Sequence, residues 1–171
     1  AGSASGKSAL IMIQEWWGIT DQLEAQAKYV SEKLDTTVVL PDLYDGKSTL
    51  EAEEANHLMS NLNWPRAVER LGEVGKHMKD QPGCESVGVI GFCMGGALTV
   101  AASTTIGAPV FSCGAVFYGC PPLELADPSK CKIPQQGHFG MKDNMEGFSD
   151  PNTAGKLEEA WKQAGIEYEM H

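Results

Sequence analysis

Apolar positions along the chain fall into two alternating patterns: short unbroken runs, and stripes that repeat every three to four residues. Residues 8–14 form the first run and predict a buried strand, followed by a loop at 15–18. Asp21 with Glu24 three residues on gives a capping-box-like start, and Leu23, Ala27, Val30 and Leu34 then share one helical face. The β-branched run 36–40 predicts a second strand, stopped by Pro41. Residues 51–62 predict a helix. Asn63-Trp64-Pro65 opens another, with Ala67, Leu71, Val74 and Met78 on its inner stripe. Further strands are expected at 86–90, 113–118, 133–139 and 166–170, and helices at 95–103 and 153–164, the last ended by Gly165. Strand alternates with helix down most of the chain, which predicts an α/β protein with a mostly parallel sheet and helices on both faces. No repeat, low-complexity tract or linker interrupts it, so residues 1–171 read as a single α/β domain.

Composition narrows the function classes. Hydrophobic residues at 42% and charged residues at 21% are globular values, which argues against a disordered or fibrous chain. A net charge of −10 works against nucleic acid and anionic membrane surfaces as partners. No apolar run approaches the roughly 18 residues that span a bilayer. The cysteines (Cys84, Cys93, Cys113, Cys120 and Cys131) are odd in number and lack CxxC spacing. They read as free thiols of a reducing compartment, the cytoplasm, with no metal or organic cofactor implied. The chain opens without Met, which leaves organellar targeting open. Gly2-Ser3-Ala4-Ser5-Gly6-Lys7-Ser8 superficially suggests a phosphate loop, but it has one residue too few between its glycines and precedes a strand. A flexible tail is the expectation there.

The strongest chemical signal is Gly91-Phe92-Cys93-Met94-Gly95-Gly96, between the strand predicted at 86–90 and the helix at 95–103. Strand, sharp turn and helix make the context of a nucleophile elbow. Gly91 and Gly95 must lack side chains for the turn to close. Cys93 then sits at the positive end of a helix, where the dipole favours thiolate, and the Met94 amide is available to a developing oxyanion. The bland alternative is a buried thiol beside glycines kept for tight packing.

Here the sequence resembles the dienelactone hydrolases (carboxymethylenebutenolidases) of the α/β-hydrolase superfamily. The stretches that carry the resemblance are Gln14-Glu15-Trp16-Trp17-Gly18, Pro41-Asp42-Leu43-Tyr44, Gly91-Phe92-Cys93-Met94-Gly95-Gly96, Phe117-Tyr118-Gly119, and Gly137-His138-Phe139-Gly140 with Asp143. They occur in family order over nearly the whole chain. The resemblance implies a Cys–His–Asp triad that hydrolyses a lactone, enol ester or related ester through a thiolester. It makes Cys93 the nucleophile and Asp143 the acid that orients the histidine, on a loop just past a strand. It makes Glu15 the carboxylate that contacts the resting thiol and helps form the thiolate when substrate binds. The second oxyanion donor would be the Trp16 N–H.

Two departures qualify the resemblance. Family members bind a substrate carboxylate through an arginine and aromatics on the helix after the Pro-Asp-Leu-Tyr stretch, whereas residues 51–59 here are acidic and lack arginine. A dienelactone acid is therefore a poor fit. Triads on this fold also run nucleophile, acid, histidine, and the only histidine after Asp143 is His171, the last residue. His171 extends an alternating strand pattern, so the expectation is that the catalytic histidine, a loop and a C-terminal helix lie beyond the residues given. His57 and His77 are expected to face solvent, and His138 to support the turn before Asp143. Trp16, Trp17 and Trp64 read as pocket walls or as packing aromatics. The competing function is a non-catalytic pseudo-enzyme acting as a binding or structural subunit.

Overall fold

The computed structural model describes residues 7–171, so most of the phosphate-loop-like stretch, Gly2 to Gly6, lies outside the described residues. Six strands form one sheet: β1 (Ser8–Ile13), β2 (Thr37–Val39), β3 (Ser86–Phe92), β4 (Cys113–Phe117), β5 (Gln135–His138) and β6 (Tyr168–Met170). Every pairing is parallel, in the spatial order β2-β1-β3-β4-β5-β6. Five helices connect them: α1 (Asp21–Leu34), α2 (Ala52–Ser60), α3 (Trp64–Lys79), α4 (Met94–Thr105) and α5 (Pro151–Ala164).

Alternation along the strands decides which helix covers which face. Ala9, Ile11 and Ile13 of β1 and Val87 and Val89 of β3 pack with Leu71 of α3, Leu98 of α4 and Trp161 of α5. Met12 turns the other way, onto Leu23 and Ala27 of α1, with Ile90 and Phe92 beside them. Helices therefore lie on both faces, unevenly: α1 faces β1 and β2, while α3, α4 and α5 share the opposite side. Residues 94–103 of α4 are buried all round, which explains their small, apolar composition. Burying a side chain such as Leu71, which exposes no surface, is worth about 1.5–3 kcal/mol.

Several boundaries and one face differ from the sequence-based expectation. The first helix is capped by Thr20, whose hydroxyl accepts from the Leu23 amide, so Asp21 is its first residue and not its cap. Leu34 was expected on the buried stripe and is 65% exposed. It ends α1 beside Leu10 and Ile90, where no helix among the described residues covers the sheet beyond α1. The last helix begins at Pro151, earlier than expected, because Asp150 accepts from the Asn152 and Thr153 amides and Pro151 fits the first turn. The strand expected at 133–139 shrinks to Gln135–His138, since Pro134 has no amide to donate.

All five cysteines are free. No helix among the described residues is long and apolar enough to cross a membrane, and no cluster of three metal-binding side chains occurs among them.

Candidate active site

A parallel sheet sends the loops after its strands to one end, and the residues singled out above follow β1, β3, β4 and β5. The elbow between β3 and α4 is as tight as its glycines imply. Cys93 has φ 54° and ψ −117°, a conformation that a side chain adopts only at a cost of about 1–3 kcal/mol. A Cβ on Gly91 would collide with the Gly95 carbonyl, and one on Gly95 would come within 2.6 Å of the Ile13 carbonyl oxygen. The Cys93 amide donates to the Phe117 carbonyl at 3.0 Å, which ties the elbow to the end of β4.

The surroundings of the sulfur set its protonation. Burial pushes the Cys93 thiol up, the Met94 amide hydrogen bond opposes this, and the negative charges of Glu15 and Asp143 push it up further. A thiol raised in this way rests protonated near neutral pH, with burial as the first cause and the two nearby carboxylates adding to it. Glu15 is itself raised, by burial, with the Tyr118 hydroxyl bond partly opposing. Its loop is held by the Gly18 amide donating to the Glu15 carbonyl and by the Thr49 amide donating to the Trp17 carbonyl at 2.9 Å.

Asp143 lies beyond β5 in a turn where its amide donates to the Gly140 carbonyl, and its Oδ1 accepts from the Met145 amide at 3.0 Å. Its Oδ2 accepts no hydrogen bond among the described residues. The structure thus brings Cys93, Glu15 and Asp143 together at one end of the sheet. It does not bring a histidine to them. The His171 ring lies 3.4 Å from Glu169 and Gln136 and stacks on His138, which stacks in turn on Phe117. His138 is thus a strand residue in a row of rings, not a support for the turn. His57 and His77 are exposed, as expected.

Contacts across the sequence add residues that the pattern did not single out for a role. The Tyr118 hydroxyl donates to Glu15, and Tyr118, at φ 39°, is bent out of regular strand geometry to reach it. Its own pKa is pushed up to about 12 by burial and by the Glu15 and Cys93 charges. The Tyr44 hydroxyl donates to the Met94 sulfur at 3.2 Å, behind the elbow. Gln14, fully buried, accepts from the Leu43 amide and joins the end of β1 to the Pro41–Tyr44 loop. Tyr118, Tyr44 and Gln14 all lie in the family-like stretches, which was the available signal.

Two cavities border these residues. One of about 690 Å³ is lined by Cys93 with Trp16, Trp64, Met59 and Phe148. The other, of about 540 Å³, is lined by Glu15, Tyr118 and Trp17. Trp16 and Trp64 are therefore walls of the cysteine cavity, and Trp17 of its neighbour.

Comparison with known proteins bears on the fold and the family. A relative from Aquifex aeolicus, provisionally named a carboxymethylenebutenolidase, is 26% identical over 172 residues, covering 95% of this chain and 71% of its own. The crystal structure of P91, a dienelactone hydrolase-like promiscuous phosphotriesterase from metagenomic libraries, superposes with a TM-score of 0.78 at 18% identity, covering 95% of this chain and 68% of that one. A dienelactone hydrolase from Anabaena variabilis gives a TM-score of 0.69 at 15% identity, with 97% and 74% covered. The family model of the dienelactone hydrolases matches residues 1–171, and the chain belongs to that family.

Proposed function

We propose that the protein hydrolyses a lactone, enol ester or related ester through a thiolester on Cys93. The observation that carries this reading is the strained Cys93 backbone at the mouth of a cavity, with Glu15 and Asp143 both acting on its sulfur. A side chain held at φ 54° is retained where the site requires it.

The proposed steps follow from the protonation states. A resting thiol is protected from solvent reagents and needs a base beside it. Glu15 takes the Cys93 proton as substrate fills the cavity, and the thiolate adds to the carbonyl carbon. The Met94 and Trp16 amides stabilise the resulting oxyanion. Its collapse breaks the ester C–O bond, and the departing alkoxide takes from Glu15 the proton that Cys93 had given up. Water then cleaves the thiolester and returns the Cys93 thiol. The family resemblance gives Asp143 the task of orienting a water-activating histidine, and no described histidine bonds it.

The second reading, a non-catalytic subunit, rests on one observation: no histidine bonds Asp143 among the described residues. Rapid mixing with a p-nitrophenyl ester separates the two. An active site gives a burst of nitrophenol and an acyl mass increment on Cys93, whereas a scaffold gives neither.

A further inference from the structure

We infer that the Cys93 cavity selects uncharged esters with an apolar acyl group and rejects those whose acyl group carries a carboxylate. This rests on Cys93 being the site of attack and adds the class of substrate.

The lining decides it. Trp16, Met59, Trp64, Leu125, Met145 and Phe148 supply most of the wall, with Pro65 from the first turn of α3 and Pro122 from a loop. Aromatic and thioether side chains bind apolar groups by dispersion and area burial, and methionine adapts to irregular shapes. At about 690 Å³ the space suits a ligand of several carbons beyond the reacting carbonyl. Among the described residues, Glu124 is the only charged one of the lining, and no lysine, arginine or histidine belongs to it. Glu15 and Asp143 add negative charge next to the sulfur. An anionic acyl group would lose its hydration there and gain no cationic partner. The basic side chains of this region, Lys47, Arg66 and Arg70, line a different cavity, and Arg66 is already paired with Glu69 and Glu73.

The test is equilibrium binding to the Cys93→Ala protein, which removes the chemistry and leaves the walls. Trp16 and Trp64 supply a fluorescence signal within the cavity. Phenyl butyrate and monophenyl succinate differ by little more than a terminal methyl against a carboxylate. The expected result is binding of the butyrate at least tenfold tighter. Equal affinity, or tighter binding of the succinate, overturns the inference. Met145 is 55% exposed, so a longer polar side chain there can reach solvent. Met145→Arg should narrow the gap by strengthening succinate binding, and an unchanged gap would mean that the acyl group lies elsewhere. Turnover by the unaltered protein is read separately. Selective binding without turnover counts against Cys93 as a nucleophile and leaves this inference standing. Turnover without selectivity does the reverse.

Discussion

Tyr118 and Glu15, separated by 103 positions in sequence, meet across 3.4 Å at the mouth of the site. The phenol donates to the carboxylate, and this bond is what opposes the rise that burial imposes on Glu15. Replacing Tyr118 by Phe removes the opposition, so Glu15 ionises at still higher pH. The acid limb of the kcat/KM profile should therefore move upward. A bond this long is worth about 1 kcal/mol, which corresponds to about fivefold lower activity on that limb and little change above it. A uniform loss at every pH would instead mean that Tyr118 supports the backbone.

Glu15→Gln should push two observables in opposite directions. The Glu15 charge raises the Cys93 thiol, so its removal lowers that thiol and increases the thiolate fraction at a fixed pH. Alkylation by iodoacetamide at pH 8 should become faster. Ester hydrolysis should fall by about 100-fold, because the proton acceptor is gone. Rates that rise or fall together would remove Glu15 from the role proposed for it.

The same substitution bears on stability. A glutamate whose pKa is raised by folding favours the folded state less as it ionises, so its cost is absent below the ordinary glutamate range and grows above it. The Gln variant should melt at a higher temperature than the parent at pH 8 and at the same temperature near pH 4. Calorimetry at the two pH values gives the answer.

Cys93→Gly compared with Cys93→Ala isolates the backbone strain. Both variants lose the sulfur, but only glycine is at ease at φ 54°. The Gly variant should be about 1 kcal/mol more stable than the Ala variant in urea titrations, against the usual preference for alanine. Equal midpoints would mean that the turn stores no strain.

Because no described histidine reaches Asp143, hydrolysis of the thiolester should be the slow step of the 171-residue polypeptide. Imidazole at roughly 0.1 M should raise steady-state turnover about tenfold or more while leaving the burst amplitude unchanged. No burst and no response to imidazole would favour the binding-subunit reading.

How much of this was legible in the sequence varies with the range of the interaction. The elbow was readable because a sharp turn leaves a local mark: glycines on both sides of Cys93, a strand before and a helix after. Asp150-Pro151 is an equally local signal of a helix start, a capping acid followed by a first-turn proline. Glu15 by itself is one carboxylate after a strand, and only the family resemblance assigned it a role. The apolar cavity joins Trp16, Met59, Trp64, Leu125, Met145 and Phe148, contributed by separate loops and helices. No periodicity links such positions. The protonation of Cys93 could not be read either, because it depends on how deeply the sulfur is buried and on charges contributed by other loops.

The strands also have a far end. Lys7 pairs with Glu85 at 2.8 Å where β1 and β3 begin, and Cys113 opens β4 there. The seven residues of β3 put about 20 Å between that rim and Cys93. Evolution and protein engineering thus have two nearly independent surfaces to work on. Charge optimisation or thiol removal at the rim near Lys7, Glu85 and Cys113 can add robustness without disturbing the opposite mouth, while reshaping Met59 or Met145 can retune selectivity with little effect on the frame that carries them.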